Sequence, residues 1–172
     1  MTVVSNTSPI LNLAAIGEAG LLEKLYPSLL VPSEVAAEIQ RLRDTQSRFQ
    51  SARLPAFVEV ATLQSPHVAI ALAGELDQGE AAAIALAVEK RAGLLLMDEL
   101  RGRTVARRFG IPILGVLGIL KLAKQQGVVP AIAPLLEKLE QQAGQRTQPA
   151  QNCARNLSET NQREENLWPT NQ

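Results

Sequence analysis

Asp98, Glu80 and Glu38, together with Asn6, are the side chains whose types and positions point to chemistry in this 172-residue chain. Asp98-Glu99 closes the apolar run Leu94-Leu95-Leu96-Met97, and Ser5-Asn6-Thr7-Ser8 closes the run that begins at Val3. Glu80 falls in the first turn of an otherwise apolar segment, Ala81 to Val88, and Glu38 lies on a helix opened by Pro32-Ser33-Glu34. If these groups converge, they form a cluster of hard oxygen ligands with no soft ligand nearby. Such a set selects Mg²⁺ or Mn²⁺ and is the usual platform for metal-assisted hydrolysis of phosphodiesters.

Beside the acids runs a basic segment, Asp98-Glu-Leu-Arg-Gly-Arg-Thr-Val-Ala-Arg-Arg108. On a helix Arg103 and Arg107 are i, i+4 neighbours, and Arg101 and Arg108 are i, i+7, which gives two basic columns suited to a phosphate backbone. Each feature also has a plain structural use. Glu80 complements a helix dipole, Asp98 caps the helix that follows it, Glu34 and Glu38 are solvated, and the arginines form a solvated face paired to Glu99.

Other chemistries find little support. His67 is the one histidine and follows Ser65-Pro66 in a loop-like stretch, as a surface or cap residue would. Cys153 lies in a polar tail, no Gly-x-Ser-x-Gly elbow or Walker loop occurs, and Gly102, Gly115 and Gly118 make no dinucleotide fingerprint.

The elements that must position these groups follow from periodicity. Val3-Val4-Ser5, Leu29 to Val31, Phe57 to Val60, Leu94 to Met97 and Ile111 to Leu114 are of strand length. Between them lie helical patterns at Pro9 to Leu25 with a break at Gly17 to Gly20, at Pro32 to Arg43, at Glu80 to Lys90, and, as a separate basic amphipathic helix after Asp98-Glu99, to Phe109. Gly115 to Gln126 and Pro130 to Gln142 complete the set, and Arg41 to Arg53 is the most polar internal stretch. Alternating strands and helices predict an α/β fold with a small, mostly parallel sheet, right-handed crossovers and the strands' carboxyl ends on one rim. A site is expected outside those ends.

The length suits one domain with a sizeable core, and 46% hydrophobic against 3% aromatic residues makes that core one of Ala, Leu, Val and Ile. From about Gly144 polar residues dominate, so the folded domain is expected at 1–143 and a flexible tail at 144–172. Lys+Arg 17 balance Asp+Glu 17, which leaves any nucleic-acid contact to a local patch. One cysteine, no leader-like start and no apolar run near the ~18 residues that span a bilayer predict a cytoplasmic protein with no membrane association.

The order of these motifs resembles the PIN-domain superfamily, and more closely prokaryotic PIN-like proteins related to VapC-type toxins. The matching pieces are VVSNTSPILNLAAIG, VPSEVAAEI, LDQGEAAAIALAVEKRAGLLLMDELRGRTVARRFGI and LGVLGILKLAKQQGVV, which cover most of residues 2–130. The resemblance implies a three-layer α/β/α sandwich and, in active members, a ribonuclease that depends on Mg²⁺ or Mn²⁺. It assigns Asn6 to the place of the first acid and Glu38, with Glu34 as the other choice, to the second. Glu80 takes the third and Asp98, with Glu99 beside it, the fourth.

On this basis Glu38, Glu80 and Asp98 are expected to be catalytic and, with Asn6, to hold the metal, while Arg101, Arg103 and Arg107 contact RNA. An amide at residue 6 departs from the family pattern, because it ligates without charge and cannot act as a base. The implied partners are RNA, an antitoxin protein and a second copy of the chain. Two rival readings stand beside the ribonuclease. One is a PIN-fold binding or regulatory protein that has lost catalysis; the other is a structural protein assembling through its Ala-rich and Leu-rich helices.

Overall fold

The computed structural model describes residues 1–144. They fall into two compact units, Met1–Ile132 and a second beginning at Ala133. Most of the tail expected at 144–172 lies outside the described residues.

The first unit is built on five strands: β1 (Val3–Ser5), β2 (Leu29–Pro32), β3 (Val58–Ala61), β4 (Leu94–Leu96) and β5 (Ile113–Leu114). All pairings are parallel and the order is β3-β2-β1-β4-β5. The helices are α1 (Thr7–Ala15), α2 (Gly20–Leu25), α3 (Ser33–Thr45), α4 (His67–Leu72), α5 (Gln78–Glu89), α6 (Leu100–Arg108) and α7 (Val116–Gln125). A short 3₁₀ turn, Ser47–Phe49, follows α3 in the polar stretch. The second unit contributes one described helix, α8 (Ala133–Gly144). The result is the expected α/β sandwich, with an entirely parallel sheet.

Parallel strands covered on both faces need apolar side chains throughout, and this composition decides where the core sits. Val3, Val4, Leu29, Val31, Leu95 and Leu96 are all buried. Helix α5 packs on β1, β2 and β4 and against α3 and α4. Its residues from Gly79 to Ala87 are all buried. Alanines at most of these positions let neighbouring backbones come close, while Ile84 and Leu86 fill the remaining space. Complete burial of such a side chain stabilises by about 1.5–3 kcal/mol.

Two elements depart from expectation. The stretch around His67 is helix α4, not loop, with Leu72 buried and Ile70 exposed. Six residues cover less than two turns, too few for a 3.6-residue period to appear in sequence. Helix α1 begins at Thr7, so that Asn6, with extended backbone, occupies its N-cap position.

Candidate functional site

In this strand order the chain leaves β1 toward β2 and β3 and then crosses back to lay β4 on the other side of β1. A crevice therefore opens at the carboxyl ends of β1 and β4, where connections depart in opposite directions. Asn6 follows β1 directly, and Met97, Asp98 and Glu99 follow β4. The Asn6 N–H donates to Leu96 O at 2.9 Å, which extends the ladder by one residue and fixes Asn6 at the mouth of the crevice.

Although Asn6 sits at an N-cap position, its side chain makes no cap bond. Instead its Nδ2 donates to Glu99 Oε2 at 3.2 Å. The Ser8 hydroxyl donates to the other oxygen, Glu99 Oε1. The remaining amide atom, Asn6 Oδ1, is buried and has no hydrogen-bond partner among the described residues. An orphaned buried carbonyl costs about 1–3 kcal/mol, so its presence calls for a ligand or a reason. That oxygen lies 3.6 Å from the point where a Cβ on Gly79 would stand, and Glu38 Oε2 lies 2.7 Å from the same point. Thr7 Oγ1 donates to Glu38 Oε2 at 2.6 Å and holds this carboxylate over the first turn of α5.

Glu80 is 6% exposed and closes a capping box at the head of α5. Its N–H donates to Asp77 Oδ1 at 2.8 Å, and its Oε2 accepts from the Asp77 N–H at 3.3 Å. Burial, followed by the charges of Asp77 and Glu99, pushes the Glu80 carboxyl up to about 7. The structural use this shows is a capping box rather than the dipole complement expected from sequence, and the burial of Glu80 among like charges goes beyond what a cap requires.

Asp98 does not cap the helix that follows it. Its Oδ1 accepts from the Val116 N–H at 2.7 Å, at the start of α7, and its Oδ2 accepts from Asn12 Nδ2 at 3.2 Å. Burial pushes its carboxyl up to about 6, with Glu99 adding to the rise and the Val116 and Asn12 bonds and Arg103 opposing it. Glu99 stands at the N-cap of α6 without capping it.

The sequence-derived residues are therefore brought to one rim, in pairs. Asn6 and Glu38 each approach Gly79, and Asn6 bonds Glu99, whose charge acts on both Glu80 and Asp98. Among the described residues no three carboxylates close into one cation-binding group. Arg103 is half-buried and faces Asp98, Arg101 is exposed with its charge acting on Glu80, and Arg107 is exposed. Arg108, from the expected second column, pairs with Glu75 at 3.0 Å.

Asn12 and Asp77 carry no site signal in the sequence, and neither do the three glycines that crowd the acids. A Cβ on Gly79 would stand 2.7 Å from Glu38 Oε2, one on Gly102 2.9 Å from Glu80 Oε1, and one on Gly115 2.8 Å from Asp98 Oδ1. Each acid is packed against a bare Cα. A glycine at or near the start of a helix, as in Asp77-Gln78-Gly79-Glu80 and Leu114-Gly115-Val116, is the sequence signal for such an approach rather than for a site.

A family model described as PIN domain matches residues 2–161, nearly the whole chain. The chain belongs to the PIN-domain family. No curated protein matches it. The PIN fold is a nuclease-type fold, and its members generally use divalent metal ions. The donor set of this PIN domain fits such an ion: every candidate ligand is an oxygen, Asn6 Oδ1 lacks a partner among the described residues, and bare backbone at Gly79 lets Glu38 Oε2 approach. None of its described helices is long and apolar enough to cross a membrane.

Proposed function

We propose that this PIN-domain protein is a ribonuclease dependent on Mg²⁺ or Mn²⁺, with Glu38, Glu80 and Asp98 as charged ligands and Asn6 as a neutral one. The observation that carries this reading is the buried, unpartnered Asn6 Oδ1 at the β1/β4 crevice, facing the same bare backbone as Glu38. When bound, the cation supplies positive charge for the scissile phosphate and acidifies water. The protein's own residues hold and orient: Val116 N–H and Asn12 fix Asp98, Thr7 fixes Glu38, and the capping box fixes Glu80. Arg101, Arg103 and Arg107 on α6 contact the RNA backbone.

We further propose a cytoplasmic protein that forms a homodimer and pairs with an antitoxin, the last as a resemblance to VapC-type toxins would imply. Cleavage of single-stranded RNA, measured with Mn²⁺ and with chelator, tests the reading. Asp98→Ala should lower the metal-dependent rate by about 100-fold or more. A rate left unchanged by Asp98→Ala rejects the site.

A second reading has its own observation: residue 6 is neutral, and no three carboxylates are gathered among the described residues. In that reading the chain is a binding or regulatory PIN-fold protein. RNA retention without cleavage at saturating Mn²⁺ would favour it.

A further inference from the structure

A carboxylate at the end of β1 would present oxygen whichever way it turned, but an amide has one end that can ligate a cation and one that repels it. Something must choose the orientation of Asn6. Glu99 can only accept while ionised, so it takes the NH₂ end, at 3.2 Å. Ser8 holds the other oxygen of Glu99. The backbone of Asn6 is fixed separately, by its N–H to Leu96 O at 2.9 Å and by its carbonyl accepting from Ser5 Oγ at 2.8 Å. Rotating the amide by half a turn would set Oδ1 against the Glu99 carboxylate and turn the NH₂ toward the cradle shared with Glu38.

We infer that Asn6 and Glu99 are a matched pair, in which Glu99 orients the Asn6 amide with its oxygen toward the cation position. Glu99 is a positioning residue here, acting through Asn6. The purpose of the pair rests on the cation reading above, whereas the pairing itself exists in the metal-free protein.

The pairing makes a counterintuitive claim: restoring an acid at residue 6 harms the protein. Asn6→Asp sets two carboxylates side by side with Glu38 near, so the metal-free variant should melt about 5 °C or more below the native chain. Adding Glu99→Gln supplies an NH₂ to the new carboxylate and should recover most of that loss, while Glu99→Gln alone, which still accepts from Asn6, should change little. In Mn²⁺ titration calorimetry Glu99→Ala should weaken binding by about 10-fold or more, and Glu99→Gln should retain affinity to within a few-fold.

Melting shifts of the two single variants that simply add in the double variant would overturn the pairing. So would native Mn²⁺ affinity in Glu99→Ala, since a merely structural Glu99 would affect melting alone. A native chain that takes up no Mn²⁺ yet shows the compensating double variant refutes the ribonuclease reading and upholds the pair.

Discussion

The Asn6 amide nitrogen and Glu99 Oε2 lie 3.2 Å apart although 93 positions separate the residues in sequence. This bond ties the end of the central strand to the segment that leads from β4 into the arginine-bearing helix. It also leaves one amide oxygen buried and, among the described residues, without a partner, close to the bare backbone of Gly79 that Glu38 also approaches. The acids around it are under electrostatic tension, and the expected behaviour of the metal-free protein follows from that.

Glu80 is raised from 4.5 to about 7 and Asp98 from 3.8 to about 6, so the fold favours both in neutral form. Their contribution is full below the unfolded values near pH 4 and is lost as pH rises through 6 and 7. Thermal melting in chelator should therefore give a higher midpoint at pH 5 than at pH 8. For Glu80 alone the change is up to about 3 kcal/mol. Glu80→Gln keeps the capping box and should flatten the profile between those pH values; an unaltered profile would contradict this assignment.

Substitution of the glycines against the acids should cost stability for steric reasons. Gly79→Ala drives a methyl group to 2.7 Å from Glu38 Oε2, and Gly115→Ala to 2.8 Å from the Asp98 oxygen bonded to Val116. Each should destabilise by about 1–3 kcal/mol in chemical denaturation. Gly20→Ala is the control: its added methyl group meets nothing within 4 Å, and alanine is the better helix former.

On α6 the arginines divide by their partners. Arg101 and Arg107 are exposed, whereas Arg108 is engaged by Glu75. If Arg101 and Arg107 contact RNA phosphates, changing either to alanine should lower the slope of log affinity against log salt by about 0.7 for a single strand. Arg108→Ala should leave it nearly unchanged. Fluorescence anisotropy across a salt series reads both outcomes.

Much of this architecture is legible in the sequence because burial on all sides leaves a continuous signature. Leu94 to Leu96 and Ala81 to Val88 contain almost nothing but apolar residues, and both become central elements. Asn6, Glu80 and Asp98 were legible as site candidates because each stands where a strand ends or a helix begins. Helix α4 was not, since six residues carry no readable period. Nor was the bond from Asn12 to Asp98 or from Asn6 to Glu99, because nothing local encodes which distant side chains will meet. The glycine contacts were hidden for a different reason: their meaning lies in what the missing Cβ makes room for.

The strand order has a consequence for how the protein is made. β1 is synthesised first yet lies at the centre of the sheet, between β2 and a strand that begins only at Leu94. A growing chain that has passed β3 still lacks the carbonyl of Leu96 that fixes Asn6, the Glu99 carboxylate that turns its amide, and the Val116 N–H that holds Asp98. Closing so long a loop comes late, after the local contacts of the amino-terminal half. The bonds that set this site therefore form only after the segment through Val116 has been synthesised, well after the strand that leads into Asn6.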